Sequence, residues 1–223
     1  DIFFLVSYLQ NHIFSTLFVL LCLLFIINGA NLIDGFNGLL AIHLIIINII
    51  LTFINISSGN IEFSTFLISQ IIILISFLLF NFPNAKIFLG DSGSYLMGSL
   101  VALNTIITNN LNPNYSTFFF CALLFYLFFE VFFSFIRKIV QKKSPIHPDG
   151  EHLHMLNYLK LTKIFGKNKA HYLNSIIINL AYFILILPSL FFFKDPGLSR
   201  YWFFTLILIY LLIYLRLYRL TKN

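Results

Sequence analysis

The stretch Asn28-Gly29-Ala30-Asn31-Leu32-Ile33-Asp34-Gly35-Phe36-Asn37-Gly38 is a polar island between two long apolar runs. A carboxylate at the centre of a bilayer costs about 2.5 to 3.5 kcal/mol on insertion scales, so Asp34 is expected at a helix end or in a protein-lined cavity. A plain turn between two membrane helices would also use Gly and Asn. However, Asn28, Asn31 and Asp34 are spaced by three and fall along one side of a helical turn, which a plain turn does not need. From spacing alone, both interpretations stay open.

The composition of the chain is that of an integral membrane protein. Of its 223 residues, 59% are apolar and only 10% are charged, which is too little charge for the surface of a soluble domain. The 29 Phe, with many Ile and Leu, suit a lipid-facing helical bundle rather than the alternating pattern of a transmembrane barrel. Cys22 and Cys121 lie inside apolar runs, so they predict neither a disulfide framework nor a compartment. We predict an all-α fold, a polytopic bundle that forms one domain over residues 1–223.

Apolar stretches of the length that a spanning helix needs, about 20 residues, recur along the chain. The seven predicted spans are 13–30, 39–56, 63–81, 94–109, 117–137, 174–193 and 201–218. The fourth is short and contains Gly98 and Asn104. With this arrangement, loops 31–38, 82–93 and 138–173 share one side of the membrane.

The basic residues predict which side is cytoplasmic. Of the 14 Lys and Arg, all but Lys194 and Arg200 lie on the side of the three loops and the C-terminal tail. The positive-inside rule therefore places the loops in the cytoplasm and Asp1 outside. The net charge of +6 is then mainly a topology signal, with an attraction to anionic lipid or a phosphorylated substrate as a second reading. Nucleic acid is not implied.

The loop at 82–93 leads into the fourth predicted span through Gly90-Asp91-Ser92-Gly93. A carboxylate, a hydroxyl and free backbone N–H groups at the positive end of a helix dipole suit a phosphate that a metal bridges to the protein. Mg²⁺ is typically held by one or two carboxylates and by substrate phosphates. An ordinary N-cap uses the same residue types, and the tetrapeptide alone favours the cap.

The loop at 138–173 is long, basic and rich in histidine. Its centre reads Ser144-Pro145-Ile146-His147-Pro148-Asp149-Gly150-Glu151-His152-Leu153-His154-Met155. A zinc site must be considered, but the Cys ligands or two well-spaced His pairs of a structural site are missing. Histidine donors beside Lys and Arg match phosphate or sugar oxygens better.

The remaining ionisable groups lie beside or inside apolar runs. His12, His43 and His171 each stand alone, and we assign them to packing or to the membrane interface. Glu130 falls inside the fifth predicted span, where an ionisable group is costly and commonly functional. A buried hydrogen bond to a neighbouring helix would explain Glu130 equally well, and the sequence does not choose between the two.

Three polar blocks on one side of one bundle resemble a known superfamily. They are Asn28-x-x-Asn31-x-x-Asp34-Gly-Phe-Asn37-Gly-Leu39, Ile87-Phe88-Leu-Gly90-Asp91-Ser-Gly93 and Ser144-Pro-x-His147-Pro-Asp149-x-x-His152-Leu-His154. Their order, spacing and sidedness resemble the polyprenyl-phosphate N-acetylhexosamine-1-phosphate transferases, glycosyl transferase family 4, over essentially the whole chain. The third block is more similar to the branch that uses UDP-N-acetylhexosamines than to the branch that uses UDP-MurNAc-pentapeptide.

The resemblance implies a role for each matched position. Asp91 looks like the family aspartate that ligates Mg²⁺, with Mn²⁺ as an alternative. Asn31 and Asp34 match the polar block that orients the metal and the diphosphate. The implied catalytic residues are Asp34, Asp91, His152 and His154. The implied substrate-binding residues are Asn28, Asn31, Gly35, Phe36, Asn37, Phe88 and His147.

Within the substrate set, the resemblance separates nucleotide contacts from sugar contacts. Gly35, Phe36 and Asn37 are similar to the segment that meets uracil, and Phe88 matches an aromatic that stacks on that base. The sugar and phosphate contacts match His152 and His154.

Three departures from the family pattern stand out. Many relatives have Asp where Asn37 stands, and many have His where Met155 stands. The family's paired aspartates on an earlier cytoplasmic loop have no counterpart, since Asp1 has no neighbouring acid. We therefore expect the chain to be the C-terminal part of a longer transferase, inactive or nearly so by itself.

The resemblance implies transfer of a sugar 1-phosphate from a UDP-N-acetylhexosamine to undecaprenyl phosphate, with release of UMP, at the cytoplasmic face of a bacterial inner membrane. This would initiate cell-wall or surface-polysaccharide synthesis, including lipopolysaccharide. The expected partners are the UDP-sugar, undecaprenyl phosphate, the bilayer and, in a homodimer, a second copy. The alternative is a non-catalytic membrane binder or transporter of a polyprenyl-linked or anionic substrate.

Overall fold

The computed structural model describes residues 8–144, 147 and 149–222. Asp1, whose position outside the membrane is predicted above, and the two prolines of the third polar block lie outside the described residues. The described part is helical throughout and contains no strand, so the all-α prediction is confirmed. Its helices are α1 His12–Ile33, α2 Leu39–Ser57, α3 Ile61–Asn81, α4 Gly90–Leu111, α5 Thr117–Leu123, α6 Phe125–Val140, α7 Leu153–Phe165, α8 Lys167–Ile186, a 3₁₀ turn Leu187–Phe191 and α9 Pro196–Lys222.

Fewer helices than predicted are apolar enough to cross a bilayer. In the described chain five qualify, namely α1, α2, α3, α8 with the 3₁₀ turn, and α9. The pair α5 and α6, bent by 72°, makes a sixth if it is one span. The prediction of seven spans is corrected at 94–109, because α4 is a helix of 22 residues whose Gly, Ser, Thr and Asn lower its apolarity.

The polar residues of α4 are satisfied inside the bundle. Asn104 donates a hydrogen bond to Oε1 of Gln70 on α3 at 2.8 Å and a second to Oδ1 of Asn48 on α2 at 3.3 Å. All three side chains are buried. Amides that cross between helices hold membrane bundles together, each for about 1 kcal/mol or less. The cluster therefore fixes α4 against α2 and α3 although its sequence is only weakly apolar.

Helix α1 lies between α4 and α6 at very short range. A Cβ added at Gly29 would lie 2.0 Å from the backbone oxygen of Leu127 on α6. On the α4 side, a Cβ at Gly98 would lie 2.7 Å from Cβ of Ala30. Small residues allow such close backbone approach in membrane helices. The C-terminal half of α1 is thus held between the middle of α4 and the start of α6.

The three loops predicted to share a side meet at one end of this bundle. Asn37 donates to the backbone oxygen of Pro83 at 2.8 Å, and Asn81 Oδ1 accepts the N–H of Gly38 at 2.6 Å. Asp149 and His152, from the third loop, line one groove with Asn28 and Asn31 near the same end of α1. At the opposite end, the N–H of Ser116 donates to the backbone oxygen of Phe193 at 2.8 Å.

Candidate active site

One wall of the site, the aspartate wall, consists of Asn31, Asp34 and Asp91. Asn31 is on the last turns of α1, and its Nδ2 donates to Oδ1 of Asp91 at 3.0 Å and to Oγ of Ser94 at 2.9 Å. Asp34 caps the C-terminus of α1. Asp91 lies in the first turn of α4, where the helix dipole favours a negative charge. The polar island and the Gly-Asp-Ser-Gly motif therefore form one surface.

The aspartate wall concentrates negative charge. Burial, followed by the charge of Asp91, raises the pKa of Asp34 to about 7. Within the described residues, no Lys, Arg or His forms a salt bridge with either carboxylate. A cation bound between them would relieve this repulsion.

The donor set of this wall fits Mg²⁺ in a substrate-completed site. Two carboxylates and the amide oxygen of Asn31 are the hard oxygen ligands that Mg²⁺ prefers. No group of three or more His, Cys, Asp or Glu that could hold a metal occurs in the described chain. Mg²⁺ usually keeps open positions for phosphates, and Asp91 is exposed. The wall therefore suits a metal shared with a diphosphate.

The opposite wall, the histidine wall, consists of Glu130, Asp149, His152 and His154. Nδ1 of His152 lies 3.2 Å from Oε2 of Glu130, and its Nε2 lies 3.5 Å from Oδ1 of Asp149. The rings of His152 and His154 stack at a centroid distance of 5.6 Å and an interplanar angle of 8°. Both histidines are buried.

Arg137, near the end of α6, fastens this loop. Its guanidinium donates to Oε2 of Glu151 at 2.6 Å and to Oδ1 of Asp149 at 3.0 Å. Burial would raise the pKa of Asp149, but the hydrogen bond and the charge of Arg137 outweigh burial and hold that pKa below its ordinary value. Next to it, Lys138 donates to the backbone oxygen of His147 at 2.7 Å. The two basic residues therefore attach His147, Asp149 and Glu151 to α6.

A groove of about 410 Å³ lies between Asn31 of the aspartate wall and the histidine wall. The helix α1 contributes Asn28, Asn31 and Leu32, and the other side is lined by Val131, Ser134, Phe135, Lys138, Asp149, His152, His154 and Met155. Asp91 joins the groove through its hydrogen bond with Asn31. The structure thus places Asn31 and the two predicted histidines on one concave surface, with Asp91 hydrogen-bonded to Asn31 beside it.

The residues predicted to meet uracil are distributed differently. Phe88 is 73% exposed, and its ring is open to a stacking partner. Gly35 has open space above it, whereas Asn37 already donates to the loop at 82–93. Phe36 departs from the prediction, because its ring is only 6% exposed and packs 5.8 Å from the ring of His154. Its side chain supports the histidine wall from inside and is not available to a base.

The isolated histidines are in the environments that the sequence indicated. His43 is buried, its Nδ1 donates to Oδ1 of Asn179 at 3.1 Å, and its ring lies against Tyr182. His171 packs beside Phe36 at 4.9 Å. His12 begins α1 and is exposed.

Sequence reasoning counted Arg137 and Lys138 only as topology signals and missed their contacts with the loop. The signal available was the pairing of two basic residues at a helix end with Asp149 and Glu151, which follow within fourteen residues of Arg137. Glu130 was noticed, and the structure gives it the buried hydrogen bond that the sequence left open.

The chain is similar in sequence to known proteins. Residues 1–109, which contain two of the three polar blocks, match the family described as Glycosyl transferase family 4. The undecaprenyl-phosphate alpha-N-acetylglucosaminyl 1-phosphate transferase of Thermotoga maritima is 34% identical over 140 residues, which cover 61% of this chain and 41% of that protein. A phospho-N-acetylmuramoyl-pentapeptide-transferase of Streptococcus thermophilus is 35% identical over 98 residues, 44% of this chain and 29% of the relative. A probable undecaprenyl-phosphate N-acetylglucosaminyl 1-phosphate transferase of Bacillus subtilis is 30% identical over 132 residues, 58% and 36% respectively.

A multi-pass helical membrane protein with a polar groove at one end is therefore the class that fold and site define. The relationship predicted from the three polar blocks, to the polyprenyl-phosphate N-acetylhexosamine-1-phosphate transferase superfamily, is confirmed by these matches. The chain spans less than half the length of each of these curated relatives.

Proposed function

We propose that the full-length protein containing this chain transfers an N-acetylhexosamine 1-phosphate from a UDP-sugar to undecaprenyl phosphate and releases UMP. This would be the initiating step of a cell-wall or surface polysaccharide. The observation that carries the proposal is the meeting of the aspartate wall and the histidine wall around one groove at the end of the bundle. The names of two relatives, an undecaprenyl-phosphate alpha-N-acetylglucosaminyl 1-phosphate transferase and a phospho-N-acetylmuramoyl-pentapeptide-transferase, support it.

The aspartate wall would hold the charged centre of the donor. Asp91 and Asp34 would bind Mg²⁺, with Asn31 holding Asp91 in position through its amide. When bound, the metal would neutralise the diphosphate and polarise its oxygens. Because no Lys, Arg or His of the described residues pairs with either carboxylate, this wall would repel an anion that carries no metal ion. The donor would therefore arrive as its metal complex.

The histidine wall would bind the sugar phosphate from the other side. His152 and His154 are donors or acceptors within the groove, and Lys138 adds positive charge to its lining. Hydrogen bonds from charged groups to phosphate oxygens are the stronger kind. Exposed Phe88 would stack on uracil at the edge of the aspartate wall. These contacts would place the β-phosphorus between the two walls.

The reaction would be a phosphoryl transfer in which the protein positions two anions. An oxygen of the prenyl phosphate would attack the β-phosphorus of the UDP-sugar, and the bond from that phosphorus to the bridging oxygen would break, with UMP taking the electron pair. Positioning and charge neutralisation account for most of the rate enhancement in such transfers. The lysines and arginines are concentrated in the polar loops and the C-terminal tail, and this distribution supports a cytoplasmic active site at the inner membrane.

The test is UMP release by the purified full-length protein in detergent. With a UDP-N-acetylhexosamine, undecaprenyl phosphate and Mg²⁺, we expect UMP and lipid-linked sugar diphosphate in equal amounts. Leaving out the lipid acceptor or adding EDTA should stop UMP release. A protein that binds the UDP-sugar and the lipid but forms no UMP would instead be a binder or carrier, and the proposal would be rejected.

A further inference from the structure

A single buried carboxylate supports the histidine wall from within the bundle. Glu130 lies on α6 and is 1% exposed. Its Oε2 lies 3.2 Å from Nδ1 of His152, and its Oε1 accepts the N–H of Leu153, the first residue of α7, at 3.2 Å. A carboxylate at this depth persists only where partners satisfy it. Here those partners are the groups that begin the histidine segment.

The second histidine is oriented by the same cluster but leaves one nitrogen unused. Nδ1 of His154 lies 3.7 Å from Oε1 of Glu130 and 3.4 Å from the hydroxyl of Tyr126. Nε2 of His154 is buried and has no hydrogen-bond partner among the described residues. His154 also lines the groove. A buried polar atom without a partner is destabilising, so this nitrogen is suited to an oxygen atom of a bound molecule.

Resting on the proposed function, we propose that Glu130 is a positioning residue for the transfer. Its two oxygens bind the His152 ring and the start of α7, and thereby hold the stacked rings of His152 and His154 with Nε2 of His154 directed to the sugar diphosphate. The hydrogen bond at one ring nitrogen of a histidine decides what the other nitrogen can do. Outer-shell carboxylates act in this way on histidines that bind metals.

A purely structural role is the competing explanation. Glu130 caps the N-terminus of α7, since α7 has no side-chain cap of its own at His152, and loss of a cap alone would lower stability. The two roles differ in their consequences. A structural residue would change the amount of folded protein, whereas a positioning residue would change turnover by the folded protein.

Three variants of the full-length protein separate these roles. Glu130→Gln keeps the size of the side chain, but its amide nitrogen cannot accept a hydrogen bond from His152 or Leu153. Glu130→Asp keeps the charge at a shorter reach. Gln70→Leu removes an equally buried polar side chain from the amide cluster with Asn104, which has no contact with the histidine wall.

The kinetic readout is kcat and KM for the UDP-sugar, measured on protein that elutes as a single folded species. We expect Glu130→Gln to lower kcat roughly 10- to 100-fold, the scale of outer-shell losses, with a smaller change in KM. Glu130→Asp should recover part of kcat. Gln70→Leu should lower the melting temperature and keep kcat. The proposal is overturned if Glu130→Gln keeps kcat within twofold, or if Gln70→Leu loses as much.

A spectroscopic readout does not depend on turnover. In full-length protein labelled with ¹⁵N-histidine, the imidazole signals of the wall are assigned by their loss in His152→Gln and His154→Gln. We expect Glu130→Gln to shift the ring nitrogen signals of His152 without substrate, and Gln70→Leu to leave them in place. If the wild type releases no UMP, the proposed function fails, and unchanged His152 signals in Glu130→Gln then overturn the assignment of Glu130 independently.

Discussion

The two walls of the groove differ in whether their carboxylates are paired with positive charge. On the aspartate wall, Asp34 and Asp91 approach each other without a cation from the described residues, and the pKa of Asp34 is raised to about 7. On the histidine wall, Asp149 is paired with Arg137 at 3.0 Å and has a lowered pKa. The carboxylates of the aspartate wall thus have no counter-charge from the described residues, whereas Asp149 on the histidine wall has the counter-charge of Arg137.

This difference indicates how the site divides its work. A wall with uncompensated carboxylates is suited to a ligand that arrives with positive charge, such as a metal complex of a diphosphate. A wall whose charges are already paired is suited to holding hydrogen-bonding groups at fixed positions. We therefore expect changes on the first wall to affect metal and substrate, and changes on the second to affect geometry.

The largest expected effect is that of Asp91→Asn. Asparagine keeps the acceptor for Asn31 but removes the charge, and losing several kcal/mol of metal-dependent stabilisation corresponds to a drop in kcat of roughly 100-fold or more. Steady-state UMP release by the full-length protein measures it. The matched control is Asp195→Asn at the opposite end, where the side chain caps α9 through the N–H of Leu198. Equal rates for Asp91→Asn and wild type would remove Asp91 from the metal site.

The second effect is loosening of the histidine wall by Arg137→Ala. Removing one partner of a buried ion pair costs about 3 kcal/mol, and here the change takes the guanidinium away from both Asp149 and Glu151. Hydrogen exchange followed by mass spectrometry should show faster exchange in the peptide that contains Glu151 and Leu153. Arg137→Lys should restore part of the protection, since it keeps the charge without the planar fork. The control is Arg216→Ala, which changes an exposed arginine. If this peptide exchanges equally fast in Arg137→Ala and Arg216→Ala, Arg137 does not hold the histidine wall in place.

The smallest expected effect concerns the close contact between α1 and α6, the helices that carry residues of the two walls. Gly29→Ala places a Cβ 2.0 Å from the backbone oxygen of Leu127, so α1 and α6 must move apart at a cost of about 1 to 3 kcal/mol. We expect a lower melting temperature in detergent without substrate. Gly35→Ala, where a Cβ meets nothing within 4 Å, should melt like wild type. An unchanged melting temperature for Gly29→Ala would show that this close contact is not maintained.

The sequence predicts the architecture well because apolar length and basic flanks are local signals. The helices α1, α2, α3 and α9 lie where long apolar runs predict them, and the three polar loops meet at one end. By contrast, α4 reads as weakly apolar because its stabilising partners Asn48 and Gln70 belong to other helices. The bend between α5 and α6 occurs with no Pro or Gly near it, so no local residue signals it.

The site was predictable as a set of motifs but not as a set of contacts. Asn31, Asp91 and His152 belong to recognisable blocks, and the structure places Asn31 and His152 in one groove, with Asp91 hydrogen-bonded to Asn31. The helix α7 was hidden inside a predicted loop, because 13 residues cannot span a bilayer. The roles of Glu130 and Arg137 depend on where that short helix packs. Tertiary contacts of this kind leave only weak traces in a single sequence.

The most direct test of the difference between the walls is the affinity of the full-length protein for Mn²⁺ in the presence of UDP. Electron paramagnetic resonance measures the free and bound Mn²⁺. We expect Mn²⁺ to bind, Mg²⁺ to displace it, and Asp91→Asn to weaken binding at least tenfold, whereas Glu130→Gln leaves the affinity unchanged. If Asp91→Asn binds Mn²⁺ as tightly as wild type, or if only Glu130→Gln loses it, the assignment of the metal to the aspartate wall is wrong.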